Sequence, residues 1–384
     1  MFDKEVTIIG AGPAGLTLAR ILQIRGVRVR IFEHDSSFSS RDQGGTFDIH
    51  DDGGQKALIA AKLFDEFKLL SRPEGNSTKI IDKHGKIHYE DYGQPDDMSR
   101  PEIDRQVLRN LLLTALEPNT VTWGKHVTSI ESLDNGQHKI TFKDGTSEVT
   151  DFLVGADGTW SKVRSILTPI QPTYTGITFT ETRISNPEAT LPHIKDLVGE
   201  GNINVLSDDK GIFAQKNGDQ SIRIYAAARV PETFKEQFDF SQYNVIRSML
   251  LDVFSGWDEK LLDMINKSDD HFIPRLIYSQ NLDEYWTTKF GVTIIGDAAH
   301  VMTPFAGQGA NLAMLDALEL ADLLTSKDFS NESTAEANLK TFEQTMIDRA
   351  RIFSDESFGN MNMFIAADAP KGATDFFKSM QPPE

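Results

Sequence analysis

Three glycines near the beginning of the chain, Gly10, Gly12 and Gly15, have the spacing of a phosphate-binding turn. They follow the apolar run VTII and open a helical pattern that ends at Gly26, so the motif lies between a strand and a helix. Gly10 permits a tight turn, Gly12 lets a pyrophosphate approach the backbone, and Gly15 allows close helix–strand packing. Glu33 ends the next strand, and its carboxylate can accept hydrogen bonds from ribose hydroxyls. The segment predicts a nucleotide-binding βαβ unit; the alternative is a glycine-rich turn without a ligand.

Two more clusters of glycine and aspartate follow apolar strands further along the chain. The first is GADGTWSKVR, which contains Asp157 and Arg164. The second is GDAAH, which contains Asp297 and His300 and is followed by the segment TPFAGQGAN at the start of a helix. Asp157 can bind a ligand or cap its own turn, and His300 can be structural. No metal site is predicted, since a glycine interrupts the only helix-like histidine pair, His84 and His88.

The order of the three motifs, which span residues 10–309, resembles the single-component (class A) FAD-dependent monooxygenases of the aromatic-hydroxylase type. The resemblance implies FAD as the cofactor, O2 and NADPH as co-substrates with NADH as an alternative, and a flavin C4a-hydroperoxide as the oxygen donor. The segment GEGN at 199–202 lacks a third glycine, so NAD(P)H is expected to bind without a Rossmann domain of its own.

Four segments resemble the tetracycline-inactivating flavin monooxygenases more closely. They are GGTFDIH, PEIDRQVLRN, GDAAHVMTPFAGQGAN and SDESFGNMNMF. The resemblance implies hydroxylation, and hence inactivation, of tetracycline-type antibiotics. Two alternatives stay open: a hydroxylase of another aromatic or polyketide metabolite, and a non-catalytic flavoprotein that senses redox state.

The resemblance also implies which residues bind FAD, with Asp297 on the ribityl hydroxyls and Gly307 and Gly309 making room for the flavin ring. Arg41, Arg105 and Arg164 are expected to attract the anionic NADPH. Arg105 and Arg109 lie four residues apart on a helix, so one of them is expected on a solvated face. The complete predicted set is Gly10, Gly12, Ala14, Gly15, Glu33, His34, Arg41, Gly45, Asp48, Arg105, Asp157, Arg164, Asp297, Pro304, Gly307, Gly309, Ala310 and Asn311.

The substrate is expected to be a polycyclic or aromatic small molecule, while the flavin itself does the chemistry and no catalytic side chain is assigned. Where the family presents glutamine, arginine and histidine to the drug, this chain has Glu181, Ile203 and Arg223, which departs from the family pattern. Met363 can equally be a packing residue. The predicted substrate-binding residues are Glu181, Arg223, Phe305, Ala306, Gly307, Asn360 and Met363.

Composition excludes other kinds of chemistry. The chain has 384 residues, no cysteine, and 57 acidic against 39 basic residues, for a formal net charge of −18. Without cysteine there is no disulfide, thiolate nucleophile or cysteine-ligated metal. The negative charge disfavours nucleic acid as a partner, and no apolar run approaches the roughly 20 residues of a membrane helix. We therefore expect a cytoplasmic monomer without a nucleic-acid or membrane partner.

The elements that must position these motifs follow from the periodicity of the sequence. After the βαβ opening, helical patterns cover 55–70 and 105–117, hairpins cover 121–154, and alternating strands cover 174–230. A strand at 290–296 and a long helix ending near Gly359 complete the chain. The predicted fold is α/β (α+β overall): a Rossmann-like FAD-binding domain (1–170 and 272–330), an inserted antiparallel β-sheet substrate domain (171–271) and a bridging C-terminal helical tail (331–384).

Overall fold

The structure, a computed structural model, describes residues 4–40, 42–134, 136–284, 286–330 and 332–380. Its strands are β1 (Val6–Ile9), β2 (Val29–Phe32), β3 (Thr46–Asp48), β4 (Thr78–Ile81), β5 (Ile87–Asp91), β6 (Glu102–Asp104), β7 (Val121–Thr122), β8 (Val127–Ser132), β9 (His138–Phe142), β10 (Ser147–Thr150), β11 (Phe152–Gly155), β12 (Thr173–Ile184), β13 (Asn202–Ser207), β14 (Lys210–Lys216), β15 (Ile222–Arg229), β16 (Ile273–Ser279) and β17 (Val292–Ile294). Its helices are α1 (Pro13–Ile24), α2 (Gly54–Ala60), α3 (Phe64–Leu70), α4 (Arg105–Thr114), α5 (Arg164–Leu167), α6 (Pro187–Thr190), α7 (Pro192–Val198), α8 (Tyr243–Val253), α9 (Glu259–Asn266), α10 (Asp297–His300), α11 (Gly309–Thr325), α12 (Glu332–Phe364) and α13 (Lys371–Ser379).

A five-stranded parallel sheet brings the three sequence motifs together. Its strand order is β17-β11-β1-β2-β7, with β1 in the middle and buried along its whole length. Ile9 pairs with Gly155, which in turn pairs with Ile294, so three neighbouring strands end at the same edge. Each of these strands leads directly into one of the motifs. The carboxyl edge of a parallel sheet is where open α/β folds bind their ligands.

A seven-stranded sheet of order β16-β12-β15-β14-β13-β4-β5 forms the second layer. Its pairings are antiparallel except for β13 with β4. Residues alternate between its two faces, and Ile203, Ile212 and Ile224 on one face pack with residues of α7, α8 and α9 in a hydrophobic core. The opposite face carries the polar and aromatic residues of the candidate site. β4 and β5 belong to the segment 1–170 of the predicted FAD-binding domain, so this sheet contains strands from both predicted domains. The domain boundaries stay a prediction.

The predicted fold class is confirmed: a Rossmann-like parallel sheet, antiparallel sheets and a C-terminal helix are all present. The predicted helix over 55–70 is wrong in one respect, because Lys62 has a φ of +56° and separates α2 from α3. The tail helix α12 continues beyond Gly359 to Phe364, since Met361 and Phe364 gain burial in a hydrophobic cluster under the seven-stranded sheet. Within the described ranges, no helix is long and apolar enough to cross a membrane.

Candidate functional site

The glycines of the first motif occupy three different environments at the end of β1. A Cβ at Gly10, whose φ is +105°, would lie 2.2 Å from the carbonyl oxygen of Ala156, and one at Gly15 would lie 2.1 Å from the carbonyl oxygen of Gly10. A Cβ at Gly12 would have no atom within 4 Å. Gly10 and Gly15 are therefore required by close backbone packing, whereas Gly12 leaves open space beside the N-terminus of α1. This arrangement matches the predicted division of roles.

Glu33 and Arg109 hold the backbone of the glycine loop from two sides. The buried Glu33 carboxylate accepts hydrogen bonds from the N–H of Ala11 at 2.6 Å and the N–H of Asp35 at 2.9 Å. Arg109 donates from Nε to the carbonyl oxygen of Ala11 at 3.0 Å and from Nη2 to Asp35 at 3.2 Å. The expectation that Arg105 or Arg109 lies on a solvated helix face is wrong, because Arg109 is only 4% exposed and Arg105 is half-buried.

The Asp157 carboxylate is used within its own segment. One of its oxygens accepts from Ser161 Oγ at 2.6 Å and the other from the N–H of Lys162 at 2.7 Å, while burial raises the pKa of Asp157. Asp157 thus caps the turn, which is the alternative that the sequence left open. Arg164 is fully buried and donates to the carbonyl oxygens of Thr159 at 2.5 Å and Ala298 at 3.2 Å. It ties the second motif to the third.

The third motif presents Asp297 at the same edge of the sheet. Asp297 is exposed as a residue, but the protein around its carboxyl group displaces water from it and so raises its pKa. The positive charges of His300, Arg105 and Arg164 act in the opposite direction. His300 is buried, and its Nε2 lies 2.6 Å from Asp316 Oδ2. Burial lowers the pKa of His300, but the Asp316 carboxylate outweighs it and raises the pKa overall. His300 is therefore structural, and Asp297 is the acceptor available at this edge.

The loop before α11 adjoins the strand β3. Gly307 has a φ of +67°, and a Cβ there would lie 2.7 Å from Asp48 Oδ2, so only glycine fits beside that carboxylate. A Cβ at Gly309 would have no atom within 4 Å, which leaves open space at the N-terminus of α11. Both polar atoms of the Asn311 side chain are hydrogen-bonded within the protein. Oδ1 accepts from the N–H of His50 at 2.8 Å, and Nδ2 donates to the carbonyl oxygen of Asp48 at 2.9 Å. Asn311 positions the two segments.

Four aromatic rings, here called the aromatic wall, lie at the face of the seven-stranded sheet opposite the Ile203 core. They are Phe179, Phe213, Tyr225 and Phe305. Phe179 is stacked on Phe213 at 5.6 Å between ring centroids and lies 6.1 Å from Tyr225. Phe305, from the loop before Gly307, meets Phe179 edge to face at 5.9 Å and Phe213 at 5.8 Å. The sheet face and the loop before α11 thus share one apolar surface, where a flat ligand can make edge-to-face contacts.

Charged residues continue the same face toward the segment before β3. Glu181 is buried and its Oε1 accepts from Arg223 Nη1 at 3.0 Å, while Arg223 also contacts Asp42. Tyr225 OH accepts a hydrogen bond from the N–H of Gly45 at 3.2 Å, and burial raises the Tyr225 pKa. The two predicted substrate residues Glu181 and Arg223 are therefore paired with each other.

The remaining predicted residues have different surroundings. Asn360 donates to the carbonyl oxygen of Phe305 at 3.1 Å, which places it beneath the aromatic wall. Met363 packs on Gly372, in keeping with the packing alternative. Ile203 lies in the core on the opposite sheet face, so its proposed match to a drug-binding position is wrong. Ala306, in the loop before α11, and Ala310, in the first turn of α11, are half-buried; Pro304 and His34 are exposed, and Ala14 in α1 is buried. Arg41 lies outside the described residues.

The residues at the sheet edge fit FAD. Open space at Gly12 and Gly309 lies at the N-termini of α1 and α11, where backbone N–H groups and the helix dipole favour a pyrophosphate and a reduced flavin ring. Residues 3–357 match the family model described as the FAD binding domain. The chain belongs to this family, the class A FAD-dependent monooxygenases. It is an FAD-dependent enzyme of the monooxygenase and hydroxylase type.

Relatives of this monooxygenase span nearly its whole length. It is 27% identical over 382 residues to monooxygenase penA of Penicillium thymicola, covering 86% of this chain and 87% of the relative. Among solved structures, HpxO of Klebsiella pneumoniae with FAD bound matches with a TM-score of 0.79 and 21% identity, covering 98% and 94% of the two chains. The tetracycline destructase Tet(51) matches with a TM-score of 0.73 and 21% identity, covering 99% and 95%. These structural likenesses show a shared fold.

Two groups of residues in this monooxygenase escaped the sequence analysis. Arg109 gives no sign in the sequence that it contacts Ala11, because the contact joins residues 98 positions apart. Phe179, Phe213 and Tyr225 could have been found from the strand alternation, since they lie on the same sheet face as Glu181 and Arg223. The aromatic residues therefore needed only the correct pairing of β12, β14 and β15.

Proposed function

We propose that this monooxygenase uses NADPH and dioxygen to hydroxylate a polycyclic phenol or enol, with tetracycline-type antibiotics as the first candidate substrates. The observation that carries this proposal is the aromatic wall, whose Phe305 belongs to the same loop as Gly307. A flat ligand against the wall would lie next to the loop expected to hold the flavin ring. NADPH as the preferred reductant, a monomeric state and a cytoplasmic location are parts of the same proposal.

When bound, FAD supplies the redox chemistry, and the chain positions the reactants and keeps water out. The glycine loop and Glu33 would hold the nucleotide end of FAD, with Arg109 fixing the loop. Asp297 would accept hydrogen bonds from the ribityl hydroxyls. The N–H groups at the start of α11 would support negative charge on the flavin ring. The aromatic wall would orient the ring that receives oxygen and exclude water from its face.

A second candidate substrate class is another aromatic or polyketide metabolite. The specific observation in its favour is the pairing of Glu181 with Arg223, which replaces the neutral glutamine expected from the tetracycline-inactivating enzymes with an internal ion pair. The two side chains expected to hydrogen-bond a tetracycline therefore already bind each other. Support for tetracyclines comes from the motif resemblance and from the shared fold of Tet(51).

The test is turnover by the purified, FAD-loaded protein. NADPH oxidation should accelerate when tetracycline or a polycyclic phenol is added, and the product should gain one oxygen atom from isotopically labelled dioxygen. The compound that gains the oxygen atom identifies the substrate class, and catalase separates hydroxylation from wasteful peroxide release. NADPH oxidation that stays at its basal rate with tetracyclines, polycyclic phenols and simple phenols would contradict the proposal. Light scattering of the same sample tests the monomer.

A further inference from the structure

Glu181 lies between two arginines on the sheet face that carries the aromatic wall. Its side chain is only 3% exposed; Oε1 accepts from Arg223 Nη1 at 3.0 Å, and Oε2 accepts from Arg275 Nε at 2.8 Å. One buried carboxylate thus engages two guanidinium groups, with one oxygen for each. Charge-assisted hydrogen bonds of this kind are strong where protein replaces water.

The surrounding charges balance. Arg223 binds Asp42 through its second terminal nitrogen, and Arg183 lies 3.7 Å from Asp42 and 3.2 Å from Asp269. Three arginines therefore face three carboxylates. We call this group the ion cluster; it consists of Arg183, Arg223, Arg275, Asp42, Glu181 and Asp269.

The ion cluster adjoins both the aromatic wall and the segment before β3, which contains Gly44. Glu181 pairs directly with Tyr225 across β12 and β15, and Phe179 precedes Glu181 by two residues on the same face. On the other side, a Cβ at Gly44 would lie 3.9 Å from Glu181 Oε1 and 3.8 Å from Tyr225 OH. A ligand lying on the aromatic wall would therefore face Glu181 and its arginines at one end.

We propose that Glu181, by neutralising Arg223 and Arg275, makes this monooxygenase bind uncharged aromatic ligands in preference to aromatic carboxylates. This inference rests on the proposed function and defines its substrate class further. A carboxylate ligand would lose its hydration at the aromatic wall, and both guanidinium groups nearest to it already have carboxylate partners. A neutral phenol or amide loses far less hydration and keeps the edge-to-face contacts with the rings.

Arg105 is the other arginine near this surface, and its guanidinium is held against β3. Its guanidinium lies over the Phe47 ring at 4.3 Å, and its Nε donates to the carbonyl oxygen of Thr46 at 3.3 Å. Its charge acts on the carboxyl groups of Glu102 and Asp297 and on the Tyr225 hydroxyl, and in each case it lowers a pKa that burial raises. Because Arg105 is unchanged in every variant below, a shift in preference after a change at Glu181 reports on Arg223 and Arg275.

The test uses two ligands of one shape, 3-hydroxy-2-naphthamide and 3-hydroxy-2-naphthoate, titrated into the FAD-loaded protein by calorimetry. The wild type should bind the amide at least about tenfold more tightly than the carboxylate. Glu181→Gln removes the carboxylate shared by Arg223 and Arg275, so their positive charge is no longer balanced. The preference should therefore shift toward the carboxylate ligand by about tenfold or more. Glu319→Gln, which removes a carboxylate paired with Arg349 elsewhere, is the matched control and should keep the preference of the wild type.

A second single variant keeps the test decisive if Glu181→Gln unfolds, and a double variant tests the charge balance directly. Asp42→Asn removes the more exposed partner of Arg223 and should shift the preference in the same direction. The double variant Glu181→Gln/Arg275→Gln restores the charge balance and should restore the preference for the amide. A wild type that prefers the carboxylate overturns the inference but leaves the proposed function standing. Binding of neither ligand, together with basal NADPH oxidation, overturns both.

Discussion

Arg109 of α4 donates a hydrogen bond from Nε to the carbonyl oxygen of Ala11, across 98 positions of sequence, and so fixes the centre of the glycine loop. One of its terminal nitrogens, Nη2, donates to Asp35, next to the buried Glu33 that holds Ala11 from the opposite side. The shape of the loop thus depends on a helix that follows it in the chain only after five strands, β2 to β6.

Replacing Arg109 with Met should weaken FAD binding by about tenfold or more and destabilise the apoprotein by about 2–4 kcal/mol. The variant keeps the length of the side chain but leaves the Ala11 carbonyl and the buried Asp35 without this donor. Fluorescence titration of the apoprotein with FAD gives the affinity, and thermal melting gives the stability. Asn110→Leu, at an exposed position one residue along the same helix, should change neither. Unchanged FAD affinity in Arg109→Met would contradict this role.

Arg109 and the glycine motif differ in how well the sequence alone predicts their roles. The motif is local: apolar strand, glycines and helix follow one another within about twenty residues, so pattern and spacing predict both the element and its chemistry. The convergence of the three motifs also follows, because neighbouring parallel strands end at one edge. Arg109 depends on where α4 docks against that edge, and helix periodicity does not contain this information.

The substrate side was harder to predict for a related reason. Glu181 and Arg223 were both predicted to bind substrate, but nothing in the sequence indicated that their charges cancel, which depends on the pairing of β12 with β15 and the approach of Asp42. Ile203 was misplaced because a one-residue difference in alternation moves a side chain to the other face of a sheet. Strand register is a tertiary property that short alternating segments leave undetermined.

Gly12→Leu should abolish FAD retention without a large loss of apoprotein stability. A side chain at Gly12 enters open space in the protein, and that space is where the pyrophosphate is expected. Gly10→Ala is the matched contrast: its φ of +105° and the 2.2 Å approach to Ala156 should cost about 2–4 kcal/mol of apoprotein stability. The flavin absorbance of purified protein and the melting temperature separate the two effects. A Gly12→Leu protein saturated with FAD would disprove the assignment of the pyrophosphate loop.

Glu102→Gln should remove a pH dependence of stability. Burial, aided by the charge of Asp48, raises the pKa of Glu102 from 4.5 to about 8, so the folded protein holds this proton more tightly than the unfolded chain. The stability it provides is complete below pH 4.5 and is lost as pH rises through about 8. Glutamine has the same shape and no proton to lose. Between about pH 5 and about pH 9 the free energy of unfolding should therefore fall by about 1–4 kcal/mol less in the variant than in the wild type. Thermal melting across this range checks it, with exposed Glu131→Gln as the control. Parallel pH profiles for the wild type and Glu102→Gln would refute the raised pKa.

Asp316→Asn should loosen the third motif and weaken FAD binding, because one buried carboxylate there receives three donors. Asp316 accepts from the N–H of Gly296 at 3.0 Å and from Arg349 of the tail helix at 2.9 Å, and it also contacts His300. Asparagine keeps the shape but not the charge, so Arg349 and His300 lose their shared counterion inside the protein, at a cost of about 3–5 kcal/mol.

His300 provides the specific readout of this loss. In the wild type the Asp316 carboxylate raises the His300 pKa despite burial, so the stability from this pair is present below the ordinary histidine pKa and is lost as pH rises through the raised one. In Asp316→Asn burial acts on His300 without that charge, and the imidazole resonances should titrate at lower pH or not at all. Asp322→Asn on the same helix, whose partner Arg25 is near the surface, should cost less than about 1 kcal/mol and leave His300 unchanged. If Asp316→Asn keeps the wild-type FAD affinity and His300 titration, the tail helix does not position Asp297 through this network.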